Sequence, residues 1–424
     1  MPKRYHRARY KQEIVMKRPS MQRNTLVGVG LVGALAGIGG SIVTGLLAIS
    51  IVWATVLLLA KRIPAKYQRS DLLIICPAYF FALAMCASAI LGWASDQSAA
   101  TLVKHFAPLL AFLFFPLLLA RLRTVEQRKL FDAFLLGCSL CGILALPAAI
   151  VQVGVYGIRA EGGAGNAIPF AMISCLFGSL SLLNLLHAAK WRQKVGLVGF
   201  LTATLCLLLS ETRGLLPIPF IASALFLGMF PKQRDRLRSR KAQAFLVGAV
   251  AVLVGVGFYY VTRLSRLFDA AFGQDPKFTD ESASLRLQMW EHAIRLISER
   301  PLFGHGLQNR RALISELDLS YSHFHNGFLT AFVDSGLIGF SAVVLLVAAP
   351  LLCAVYNPLK LYNKERLFIA LMVTLTYAIG GMTNFIFLHD IYDSVFLWSA
   401  LIVAAPLEEK EGHVTEHMLD THLE

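Results

Sequence analysis

Three observations predict an all-α polytopic membrane protein with about twelve transmembrane helices and one large, partly helical outer loop. Of the 424 residues 56% are hydrophobic, only 16% are charged, and apolar stretches recur along almost the whole chain. A mean hydropathy of +0.60 is too apolar for a soluble globular chain of this length. The stretches are long enough to cross about 30 Å of hydrocarbon as helices. They run continuously apolar instead of alternating, which selects helices over barrel strands.

Residues 1–24 are basic and polar, without the short apolar core and small-residue cleavage site of a signal peptide. They are expected to remain in the mature protein as an inner, cytoplasmic N-terminus. Spans one to nine are expected within residues 25–261, at 25–39, 42–60, 72–92, 106–121, 129–153, 167–189, 195–209, 214–231 and 243–261. Residues 262–325 form the large loop, residues 326–406 hold the spans 326–355, 367–388 and 392–406, and residues 407–424 are an acidic, His-bearing cytoplasmic tail. The first two spans are separated only by Gly39, Gly40 and their neighbours, and reading them as one helix would invert everything downstream.

Charge argues against that inversion. With the N-terminus inside, the inner segments hold 29 of the 40 Lys and Arg. Of the 11 outer ones, eight lie in the large loop, and long loops are weak determinants of orientation. The short outer connections contribute only Lys104, Arg159 and Arg213. A cation in a short outer loop runs against the topological preference, so it asks for a local reason. An anionic ligand at the outer face supplies one; snorkelling to lipid phosphates supplies another.

Within the large loop, Asp280, Glu281 and Ser282 resemble a helix start. Leu285, Met289, Ile294 and Ile297 trace an apolar helical face, Arg286 sits in the first turns, and Pro301 follows the end. Leu285, Trp290 and Ile294 are available to rest on the membrane or on neighbouring spans.

The net charge of +14 is divided among short loops and lines no recognition motif, which excludes a nucleic-acid partner. All seven Cys fall inside apolar segments, so the outer loops hold no disulfide candidate. Cys138 and Cys141 form a mid-span CxxC without polar neighbours and read as small packing residues.

Three constellations could carry chemistry. Gly157 to Asn166 joins two spans, and its glycines permit close backbone approach to a ligand while Arg159 offers a planar fork suited to phosphate oxygens. It lacks the Gly-Lys-Ser/Thr ending of a Walker loop, and a plain re-entrant turn would look the same. Ser210-Glu-Thr-Arg-Gly214 presents Arg213 within one turn of the membrane boundary, with Glu211 placed to orient it or simply to pair with it. His323-Phe-His325-Asn326 closes the large loop: an imidazole titrating near neutrality can accept a proton from an attacking hydroxyl, and Asn326 can orient a polyhydroxylated ligand. Asp334, a little over two helical turns further on, needs a partner or a purpose inside the membrane, either the histidine network or an arginine.

His305, His323, His325 and His389 all belong to the outer side, but no compact Cys/His set or HExxH accompanies them, so no metal site is expected. The outer loops also lack an Asp-x-Asp pair for holding a divalent cation against a diphosphate. Arginines would have to neutralise a leaving group. No cofactor is expected.

Taken together, the Arg159 glycine loop, Ser210 to Gly214, Ser284-Leu-Arg286 followed by Trp290, Arg300-Pro-Leu-Phe-Gly-His-Gly306, and His325-Asn326 followed by Asp334-Ser-Gly336 and Gly339 resemble the O-antigen ligase and polymerase superfamily of bacterial envelope glycosyltransferases. The motifs cover about 150–345, and the Arg-Pro-Leu-x-Gly-x-Gly run with its downstream His-Asn is the most specific. The resemblance implies metal-independent, inverting glycan transfer from undecaprenyl pyrophosphate at the periplasmic face of the bacterial inner membrane. In the ligase branch the acceptor is a hydroxyl of the lipid A core; in related branches it is a growing polysaccharide or a protein hydroxyl. It further implies His325 as general base, Arg213 and Arg286 as diphosphate contacts with Arg159 beside them, and Asn326 and Asp334 in support. A lipid-linked glycan transporter is the alternative from another class; it would need the arginines but not His325, and paired broken helices in two similar halves are not visible.

Overall fold

The computed structural model describes residues 19–63, 67–92, 99–232, 281–319, 321–356 and 362–407. The segments expected as the ninth span, the first part of the large loop and most of the tail lie outside the described residues.

Every regular element among the described residues is helical. Helix α1 (Pro19–Gly39) is followed by α2 (Ile42–Leu59), α3 (Leu72–Leu91), α4 (Ala99–Leu113), α5 (Phe115–Leu122), α6 (Gln127–Gly154), α7 (Ala167–Ser181), α8 (Lys190–Leu209) and α9 (Pro217–Met229). After the undescribed stretch come α10 (Glu281–Glu299), the short α11 (Arg310–Ser315), α12 (Gly327–Tyr356), α13 (Asn363–Gly381) and α14 (Asp390–Ala404). Among the described residues six helical stretches are long and apolar enough to cross a membrane, or seven if the bent α4 and α5 pair is one span; α9 with its leading turn is apolar but shorter. Several apolar helices of this length fit a multi-pass membrane protein, while the expected dozen spans exceeds what the described residues define.

Most of the helices form where an apolar run lacks polar interruption, whereas α10 is amphipathic, with charged residues along its length. The first two spans are separate: Gly40 takes a left-handed φ of 46°, and the carbonyl of Gly163 packs directly against it, where a Cβ would not fit. Two expectations need correction. The span at 367–388 stops at Gly381, and residues 382–389 run as irregular backbone back toward α14. The span at 326–355 is broken at Gly336 (φ 63°, ψ −160°), so Asp334 sits beside a kink instead of inside a continuous helix.

The connections gather at two ends separated by the length of the helices; α6, with 28 residues, is about 42 Å long. At one end Arg123 grips Asp71 at 2.6 and 2.7 Å and also donates to the carbonyls of Ala404 and Ala405 at the end of α14. Buried Arg366 donates to the carbonyl of Val403 beside them (2.6 Å). These guanidinium groups satisfy carbonyls that a helix C-terminus leaves unpaired. At the other end Ala160 N–H donates to the Leu209 carbonyl, Ser41 Oγ to Asp390, and Gln308 to the Ala89 carbonyl. Arg159, Arg213 and His325 all lie on connections of this second end.

Helix α10 starts at Glu281, close to the expected position, and buries Met289, Ala293 and Leu296, whereas Ile294 points outward at 57% exposure. The buried stripe is thus rotated from the expected one. It packs on α12 through Phe324 and Val333, with the Trp290 indole N–H donating to the Phe324 carbonyl (3.0 Å).

Candidate active site

The glycine-rich loop is shaped from below by Gln152, near the end of α6. Its side-chain oxygen accepts from the N–H groups of Glu161 and Gly162, and its amide donates to the Gly162 carbonyl, all at 2.9 Å. So fixed, the loop projects Arg159 across to the next connection, where Nε donates to the Ser210 carbonyl (2.8 Å) and a terminal nitrogen to Thr212 Oγ1 (3.2 Å). Part of the Arg159 fork is therefore occupied in holding the bend that presents Arg213. The bend is tight: Glu211 has φ 53°, and Gly214 packs against Thr383 of the irregular 382–389 segment.

Electrostatics tie the separated cations together. Burial lowers the Arg159 pKa most; Glu211 and Glu161 oppose this, and the charges of Arg213 and Arg286 add to the lowering. Arg286 acts in turn on His325, whose pKa is lowered first by burial and then by that guanidinium. Arg213 and Arg286 thus both act on Arg159, and Arg286 links them to His325. Like charges held near one another at a low-dielectric boundary repel, and an anion between them relieves the repulsion.

His325 occupies the left-handed region at φ 51°, one residue before the start of α12. Its Nδ1 is buried without a hydrogen-bond partner among the described residues. Its ring lies 4.5 Å from that of His323 and 4.9 Å from that of Tyr321. His323 is pushed down to about 3 by burial, by His325 and by Arg310, with the Asn384 carboxamide pulling the other way. Phe385 continues the ring series, 4.9 Å from His323 and 5.0 Å from His389.

Of the two supporting residues Asn326 does something other than expected, and Asp334 takes the arginine alternative. The Asn326 side-chain oxygen accepts from the N–H groups of Phe328 and Leu329 (3.0 and 3.1 Å), capping α12, so this oxygen is committed to holding the helix start rather than a ligand. Asp334 pairs with Arg310, whose Nε donates to both carboxylate oxygens at 3.1 Å and whose terminal nitrogen also contacts Oδ2. The partner is thus an arginine of the loop itself, not Arg213, Arg286 or His325.

The Arg-Pro-Leu-x-Gly-x-Gly run is a latch. Its backbone meets the break in α12: His305 N–H donates to the Val333 carbonyl, Gly306 N–H to the Asp334 carbonyl and Leu337 N–H to the Pro301 carbonyl, at 2.8 to 2.9 Å. A Cβ at Gly336 would collide with the Leu302 carbonyl, so residue 336 has to be glycine for the two backbones to meet. Ser88 Oγ of α3 also donates to the Asp334 carbonyl (2.7 Å). The motif thereby fixes α12, and with it His325, against the loop and α3.

Sequence reasoning missed Gln152, Arg310, Tyr321, Asn384 and Phe385. Gln152 and Arg310 are polar residues at helix ends whose spacing to their partners carries no local signal. Asn384 and Phe385 were absorbed into an overlong span. Among the described residues no three His, Cys, Asp or Glu side chains converge as a metal site.

Guanidinium groups beside an imidazole, on connections at one end of a helical bundle, define a membrane protein with a candidate anion-handling site. Residues 198–344 match the family described as O-antigen ligase. The match contains Arg213, Arg286, His325, Asn326 and Asp334; Arg159 lies before it. The chain is 22% identical over 289 residues to an uncharacterized protein of Haemophilus influenzae, covering 61% of this chain and 71% of that one. It is 25% identical over 265 residues to the exopolysaccharide production protein ExoQ of Rhizobium meliloti, covering 58% of each.

Proposed function

We propose that the protein transfers a glycan from undecaprenyl pyrophosphate to a sugar hydroxyl at the periplasmic face of the bacterial inner membrane, with both termini cytoplasmic. The observation that carries this reading is the electrostatic grouping of Arg159, Arg213 and Arg286 with His325. His325, neutral because burial and Arg286 disfavour its cation, takes the proton of the acceptor hydroxyl. The hydroxyl oxygen bonds to the anomeric carbon from the face opposite the pyrophosphate, the carbon–oxygen bond to the pyrophosphate breaks, and configuration inverts. Arg213 and Arg286 stabilise the charge that develops on the departing pyrophosphate, without a metal. Arg159 holds the Arg213 bend and turns its remaining donors to the same anion.

The acceptor in this reading is the lipid A core, which makes the protein an O-antigen ligase. The name of the ExoQ relative favours a second reading, in which the acceptor is a growing polysaccharide. Reconstitution of the full chain with donor lipid and lipid A core separates the outcomes. Ligated product supports the first reading and a lengthened glycan the second. Movement of donor lipid across the bilayer without any new bond overturns both in favour of transport.

A further inference from the structure

The ring series around His325 contains one member that is open to a ligand and carries no formal charge. Tyr321 is 38% exposed, and its ring centroid lies 4.9 Å from that of His325 with the two planes 80° apart. The other rings are engaged inward. His323 accepts or donates through Nδ1 to Ser322 Oγ (3.2 Å) and packs on Phe385 at 75°. Phe385 packs in turn against His389 and Tyr392, at 5.0 and 5.1 Å between ring centroids. Tyr321 thus projects from a buttressed aromatic cluster, next to the imidazole and apart in kind from the guanidinium groups.

A pyranose ring has an apolar C–H face and a rim of hydroxyl groups. The face suits an aromatic surface, and the rim needs polar partners at the edge of that surface. Tyr321 and His325 offer that pairing within one ring width. A diphosphate has no use for a phenol face and is drawn to the arginines, so the two substrates sort themselves by chemistry. We propose that Tyr321 is the stacking platform for the acceptor sugar, holding one pyranose face so that a hydroxyl on its rim points at His325. This rests on the glycosyl-transfer reading above and specifies where its second substrate binds.

The test uses the full chain in lipid nanodiscs and two probes, undecaprenyl pyrophosphate and the lipid A core oligosaccharide freed of its lipid. Binding is measured by saturation-transfer NMR for the sugar and by equilibrium titration for the lipid. Tyr321→Ala is expected to weaken oligosaccharide binding by about tenfold or more and to leave undecaprenyl pyrophosphate binding unchanged, while Tyr321→Phe and Tyr321→Trp keep both. Oligosaccharide affinity that survives Tyr321→Ala, a parallel loss of both ligands, or no oligosaccharide binding to the native chain would each overturn the platform. Lipid binding that is indifferent to Arg213→Ala would instead sink the pyrophosphate assignment, and the Tyr321 comparison would still be readable.

Discussion

Arg159 donates its Nε to the carbonyl of Ser210, three residues before Arg213 in the chain, at 2.8 Å. One arginine is thereby the mount for another. Removing the two should have different signatures. Arg213→Ala is expected to cost about 2 to 4 kcal/mol of transition-state stabilisation, as for a lost oxyanion donor, which lowers kcat/KM by roughly 30-fold to 1,000-fold. Arg159→Lys keeps the charge but cannot make both hydrogen bonds, so it should lose a substantial part of that rate. Activity of Arg159→Lys equal to the native chain in a purified transfer assay would show that the mount is dispensable.

The pH profile should report His325. Its folded pKa lies below the ordinary 6.5, so the neutral base persists as the pH falls through that value. Loss of kcat/KM on the acid side is expected only below the ordinary imidazole range, and His325→Ala should abolish that limb along with most of the rate. Arg286→Gln removes a cation that disfavours the imidazolium, so the limb should move to higher pH even though the overall rate drops. A limb that stays in place, with burial unchanged, contradicts the coupling between Arg286 and His325.

Asp334 and Arg310 make a stability prediction. The Asp334 side chain is 1% exposed and that of Arg310 20%. Arg310→Ala leaves a buried carboxylate without its partner and should destabilise by about 3 to 5 kcal/mol. The double change Arg310→Met with Asp334→Leu removes the stranded charge and should recover much of this. Thermal unfolding in one detergent, compared across the three chains, decides the matter; additive losses would mean the pair is not coupled.

Gly336→Ala tests the latch. The residue sits at φ 63°, and a Cβ added there would lie well inside contact distance of the Leu302 carbonyl, so strain and collision combine. An alanine in this positive-φ, extended region, which is populated almost only by glycine, costs about 1 to 3 kcal/mol by itself. The substitution should lower stability by more than that and depress transfer through displacement of His325. Unaltered unfolding temperature and activity would remove the latch from the account.

Much of this arrangement was legible in the sequence, for physical reasons that differ by residue. Helix positions follow from apolar runs that nothing interrupts, and Arg159 and Arg213 stood out because cations in short outer connections oppose the membrane's preference. His325 stood out because an imidazole closes the loop just before an apolar run. The roles of Asn326 and Asp334 were not legible, since an asparagine before a helix serves as a cap or a ligand contact with equal ease, and the partner of Asp334 lies 24 positions away. The stretch from Met382 to His389 hid its irregular course because its residues are mostly apolar. Hydropathy reports solvent preference, whereas the course of that stretch is set by packing against Gly214 and by the buried Asn384 amide.

Arg123 has a bearing on how the bundle is made. Asp71 and Arg123 are 52 positions apart, but the Ala404 and Ala405 carbonyls lie 281 and 282 positions after Arg123 and are synthesised well after it. Until then part of the guanidinium fork has nothing to hold, and the opposite end of the last helix has not yet delivered Asp390 to Ser41. Helix α14 therefore acts like a clasp, tying segments far apart in the chain at both poles of the bundle. A chain without α14 lacks more than one helix, because Ser41 and Arg123 both lose a partner that joins their ends of the bundle.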